Sequence, residues 1–158
     1  MTWADRLLRL ASGDRTPQVV EHLRDMRQRS AEQARRLETA AAQAPTASAE
    51  TDLRSLAAAQ NELTANLDAA LAERPQPAPA PAAPAATLNG ATRNHWARLV
   101  VALEACRESR SQLARTIPGL LEADPRLGGV LDNLDRGYHV QSLALRTLIA
   151  RADPQALD

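Results

Sequence analysis

The chain has no lysine and no phenylalanine, and it has only one cysteine, one tyrosine and two tryptophans in 158 residues. Each shortage closes off a class of explanation. A lone cysteine, Cys106, cannot form an internal disulfide and suits a reducing compartment. So few aromatics leave no platform on which bases could stack. The 19 basic residues are matched by 19 acidic ones, so the net charge is zero and the usual electrostatic case for nucleic acid is missing. β-Branched residues are scarce, which gives strands little support. No apolar run approaches the roughly 20 residues that a bilayer-spanning helix needs. Asp5, Arg6 and Arg9 fall where a signal peptide requires an apolar stretch. The expected setting is the cytoplasm, with neither membrane nor nucleic acid as partner.

Chemical motifs are missing too. No histidine follows a glutamate by three residues, as a di-iron bundle requires. There is no Cys-x-x-Cys-His, no glycine-rich phosphate loop and no Gly-x-Ser-x-Gly. Asp135 and His139 share a helical face at i, i+4, but two ligands make a poor metal site. Cys106, near Arg107 and Arg110, reads as a core cysteine rather than a nucleophile. We therefore assign no catalytic residue, metal or cofactor, and expect a non-enzymatic protein.

What the chain does have is alanine, leucine, arginine, glutamine and glutamate, all strong helix formers. Every basic residue is arginine. Together with abundant alanine and proline, this reads as GC-rich bacterial coding rather than a demand for guanidinium groups. The run from Arg74 to Pro84 places prolines at 75, 77, 79, 81 and 84, each without an N–H and with φ fixed. It must be an extended connector between two helical halves. The expected fold is all-α: a four-helix bundle of two hairpins joined by a Pro/Ala-rich linker, preceded by a short amphipathic helix. The segments are 1–15 for that helix and its turn, 16–73 for the first hairpin, 74–90 for the linker and 91–153 for the second hairpin. The linker is long enough to run the length of the bundle, but its Ala-Pro composition favours a slack loop at one end.

Thr16-Pro17 is read as the cap and first turn of the first helix, and Pro45 as its stop. Its seam is Val19, Leu23, Met26, Ser30, Gln33 or Ala34, Leu37 and Ala41. The second helix follows Thr46 or Ser48, with seam residues Leu53, Leu56, Gln60, Leu63, Leu67 and Ala70. The third begins between Asn89 and Thr92 and carries Trp96, Leu99, Leu103, Cys106, Arg110, Leu113 and Ile117, with Pro118 kinking or ending it. Asp124-Pro125 opens the fourth, whose seam runs from Leu127 to Leu148 through Leu134, Tyr138, Gln141 and Leu145.

Two sets of residues stand out as candidate sites. Ser30, Gln33, Gln60, Arg110, Tyr138 and Gln141 fall near mid-helix on or beside the seams, which predicts a polar layer in the core. Such a layer commonly fixes register. Its functional alternative is a pocket in which Arg110, with Gln33, Gln60, Tyr138 and Gln141, binds an anionic group. In the N-terminal helix Trp3, Leu7 and Leu10 form one stripe, which either covers the bundle or anchors a partner. The overall plan resembles four-helix bundles in general, ferritin-like ones included, without the residues that give those their metal chemistry. The expectation is a bacterial protein working through protein–protein contacts, as an adaptor, small chaperone or scaffold, with a second copy of itself among the expected partners. The alternative is a ligand-binding or ferritin-like bundle centred on Arg110.

Overall fold

The structure, a computed structural model, describes residues 15–75 and 94–152. Trp3, Leu7 and Leu10, and the linker beyond Pro75, lie outside the described residues. Four helices make up the fold: α1 (Thr16–Ala42), α2 (Ala47–Ala72), α3 (His95–Ala123) and α4 (Gly128–Ala152), with a 3₁₀ turn, Pro125–Leu127, leading into α4. α1 pairs with α2 and α3 with α4 as antiparallel hairpins. The hairpins then meet through α1 against α3 and α2 against α4.

The ends of the helices follow local chemistry. Thr46 caps α2, its Oγ1 accepting from Ala49 N at 3.2 Å. Asn94 caps α3, its Oδ1 accepting from Ala97 N at 2.7 Å, so α3 starts later than the sequence had indicated. Arg15 rather than Thr16 occupies the cap position of α1 and makes no side-chain cap bond. Thr16 is already helical, because a proline anywhere in the first turn lacks only an N–H that would have no helical partner. Pro118 does not end α3, which continues to Ala123. Both Pro118 and Ala114, whose carbonyl loses its partner, are exposed, so water can satisfy the freed oxygen.

Two apolar clusters make the core. One gathers the start of α1 (Val19, Leu23), the end of α2 (Leu67, Leu71), the second half of α3 (Leu113, Leu120) and the start of α4 (Leu131, Tyr138). The other joins Leu37 and Ala41 to Leu53, Leu99, Leu145 and Leu148. A fully buried leucine such as Leu23, Leu53 or Leu145 contributes about 2 kcal/mol of transfer free energy. Because the start of α1 lies level with the ends of α2 and α3, all four neighbouring pairs are antiparallel, and α2 runs parallel to α3.

That order corrects the expectation of a loop at one end. Pro75 and Asn94, which flank the connector, sit at opposite ends of the bundle. Pro75 follows Arg74, which is paired with Asp124 beside the first cluster, whereas Asn94 caps the helix end that carries Leu99 in the second. α3, with its 29 residues, is roughly 43 Å long. The chain from 76 to 93 can reach roughly 56 Å in an extended form, which suffices for the crossing. Composition had pointed to slack, whereas the core packing sets where the two ends must be.

Trp96 also departs from expectation. The sequence placed it on the inner seam, but it is 41% exposed. On α2, Ala57 and Thr64 are buried, while Leu56 and Leu63 are only half-buried. The seam is rotated by one residue at those two positions.

Candidate functional site

Between the two apolar clusters lies the polar layer. Gln33 on α1 donates through Nε2 to Ala102 O on α3 at 3.0 Å and to Gln141 Oε1 on α4 at 2.8 Å. Gln141 Nε2 donates to Gln60 Oε1 on α2 at 3.0 Å, and Gln60 Nε2 donates to Ser30 Oγ on α1 at 2.6 Å. Thr64 spends its proton on the Gln60 carbonyl at 3.0 Å, so Ser30 must donate to Thr64 Oγ1 across the 2.8 Å contact. The direction of the whole chain is fixed at its origin. A backbone carbonyl only accepts, so Ala102 O forces the amino side of Gln33 toward it, and each later amide must follow. All four helices contribute, and every member is buried. Gln33 Oε1 is the one oxygen of the layer left buried without a partner.

The structure thus brings together Gln33, Gln60 and Gln141, with Ser30, as the spacing predicted. Tyr138 is buried alongside, and burial pushes its phenol up to about 12 against the opposing pull of the Ser109 and Gln60 side chains. Arg110 is not part of the layer. Its side chain is 41% exposed and holds Asp135 with two donors, Nε to Oδ1 at 2.8 Å and Nη2 to Oδ2 at 3.3 Å. A guanidinium keeps its hydration at a helix edge more cheaply than in a core lacking a carboxylate. The pocket envisaged around Arg110, Gln60 and Gln141 is therefore split between core and surface.

Arg110 has a third partner. Its Nη1 lies 3.1 Å from His139 Nδ1, and since arginine can only donate, that nitrogen accepts. One guanidinium thus clamps the Asp135 and His139 pair, and the carboxylate in turn raises the pKa of Arg110. Among the described residues no group of three or more histidine, cysteine or acidic side chains is arranged to hold a metal ion. Cys106 is buried, with Sγ 3.2 Å from Tyr138 O and 3.3 Å from Ser142 Oγ. Burial pushes its thiol pKa up, the reverse of what a nucleophile needs.

The Arg110 clamp lines a groove of about 660 Å³ along the outer seam of α3 and α4. Arg107 and Arg110 from α3 and Arg146 from α4 border it, with Ile117 and Leu143 supplying apolar surface. Leu143 is 50% exposed, an unusual placement for leucine on this bundle.

No family model, no curated protein and no solved structure matches this chain.

Sequence reasoning did not anticipate one further cluster. Arg74, assigned to the linker, is buried against the end of α2, donating to Ala70 O and, through Nη2, to Asp124 Oδ2 at 2.5 Å. Arg126 reaches Asp124 Oδ1 at 3.1 Å from the other side. The bond from Arg126 is the largest of the influences that bring the Asp124 carboxyl down to about 2, opposed by burial and reinforced by Arg74. The crevice here, about 550 Å³, is bordered mostly by charges paired with each other, including Arg15 with Glu122 at 2.9 Å. It acts as a clasp between the hairpins. Only the capping signal Asp124-Pro125 hinted at it.

Proposed function

We propose that this chain is a non-enzymatic helical bundle that works through protein–protein contacts, as an adaptor, small chaperone or scaffold. The observation that carries this reading is where the polar and apolar groups have gone. The polar side chains at mid-core bond one another in a chain anchored on Ala102 O, whereas large apolar side chains are spent on the surface, Leu143 and Trp96 among them. A buried network of this kind fixes the register of four alanine- and leucine-rich helices that could otherwise slide. Exposed apolar side chains bordered by arginine match the composition of protein-recognition surfaces, in which arginine and tryptophan are enriched. The contact surface we favour is the α3–α4 groove. No described helix is long and apolar enough to cross a membrane.

Native mass spectrometry on gently purified protein tests this reading. It predicts an assembly containing a second protein or a second copy of the chain, lost in Leu143→Asp while the helical circular dichroism is unchanged. A monomer in both proteins, or one carrying only a small-molecule mass, would contradict it.

A further inference from the structure

Resting on that reading, we infer that the α3–α4 groove takes an acidic amphipathic helix of a partner protein. The argument starts with register. On α3, residues 96, 100, 103, 107, 110, 114 and 117 recur at alternating steps of four and three, and so form one stripe. Leu103 is buried in the second apolar cluster, so the part of the stripe that borders the groove runs from Arg107 through Arg110 to Ile117. Those ten steps along α3 cover roughly 15 Å. That matches about three turns of a helix laid along the seam. On the α4 side the stripe faces Leu143, Arg146 and His139.

Charge selects the partner. Three guanidinium groups, of Arg107, Arg110 and Arg146, border the groove. Against them stand Asp135, held by Arg110 at 2.8 Å, and Glu104, held by Arg107 at 3.1 Å. Arg146 makes no ion pair among the described residues. The groove is therefore positive within a chain whose net charge is zero. Arg110 is also pre-aimed, because Asp135 and His139 fix its plane and so reduce the ordering cost of binding. A helix with apolar residues over Leu143 and Ile117, and carboxylates on its flanks, satisfies both features. A basic helix would be repelled, and a wholly polar one would leave Leu143 wet.

The test is a fluorescence-anisotropy titration of the full chain with two labelled model peptides. Each is about 20 residues long, with leucine at heptad positions; one carries glutamate and the other lysine elsewhere. The proposal predicts that the glutamate peptide binds, more weakly as salt rises, and the lysine peptide does not. In Arg107→Glu/Arg146→Glu the glutamate peptide should lose about tenfold or more in affinity and the lysine peptide should gain. Both positions are exposed, so the fold should survive, and the gain by the lysine peptide shows that it has. Equal binding of the two peptides, or no effect of the double charge reversal, overturns the inference. So does binding of decanoate that depends on Arg107 and Arg146 while neither peptide binds, which would make the occupant a small anionic amphiphile. Failure here alongside a heteromeric or dimeric native mass would remove the acidic helix and leave the protein-contact reading standing. A monomeric native mass would remove that reading itself.

Discussion

Gln33 and Gln141 meet across the diagonal of the bundle, Nε2 of one donating to Oε1 of the other at 2.8 Å. Their helices, α1 and α4, are each flanked by α2 and α3 rather than packed on one another. The bond therefore ties the two hairpins at mid-height, where the core would otherwise be featureless alanine and leucine.

Breaking this link from one side should be costly. Gln141→Leu takes one acceptor from Gln33 Nε2, whose other N–H keeps Ala102 O, and the donor from Gln60 Oε1, leaving one buried N–H and one buried oxygen without a partner. The expected loss is about 2–4 kcal/mol in urea unfolding. Gln33→Leu/Gln60→Leu/Gln141→Leu leaves no stranded amide and should lie much closer to the parent, or above it, with broadened amide NMR spectra as register loosens. A triple variant weaker than the single one would show that the layer stabilises rather than specifies.

The Asp124 clasp predicts a pH dependence. Its carboxyl sits below the ordinary 3.8, at about 2, so the folded state binds that proton more weakly than the unfolded chain does. The stability it contributes is complete above its ordinary pKa and is lost as the pH falls through that window. Asp124→Asn should flatten the acid limb of the stability profile and destabilise by about 3 kcal/mol at neutral pH, because Arg74, with its side chain only 7% exposed, loses its partner. Glu122→Gln, which breaks the exposed pair with Arg15, should change stability by less than about 0.5 kcal/mol.

Much of this was legible in the sequence, for identifiable reasons. The inner seams of α1 and α4 are long and regular, and their residues are buried as periodicity placed them. The amide layer was legible because Gln33, Gln60 and Gln141 interrupt the seams of α1, α2 and α4 at matching heights. Ala102 O was not, since a backbone acceptor leaves no trace in a side-chain pattern. Arg110 occupies a seam position by spacing, yet charge moved it to the edge. The Arg74–Asp124 clasp joins positions 50 residues apart and exists only once the ends of α2 and α3 lie level. The route of the connector failed on the same point, because composition carries no information about which ends must meet.

The glycines of α4 should behave differently from one another. A Cβ at Gly129 meets nothing within 4 Å, so Gly129→Ala should gain about 0.5–1 kcal/mol from helix propensity. At Gly137 a Cβ would come within 2.4 Å of Leu63 Cδ1. Leu63 has to turn aside, and the same substitution there should gain little or nothing. Thermal melts of the two variants measure the difference.

Cys106 should be silent toward thiol reagents. Its burial and raised pKa predict that iodoacetamide labels it only through unfolding, with a rate that tracks denaturant concentration. Rapid labelling in native buffer would show that the α3–α4 seam opens locally.

The central claim, that the α3–α4 groove is where this protein meets another, is tested most directly by photo-crosslinking. A photoreactive phenylalanine analogue at position 143, introduced in the cell that makes the protein, should give one discrete protein adduct. The same analogue at Arg54, on the exposed face of α2, should give none. Adducts of equal intensity at both positions, or none at 143, would contradict the account.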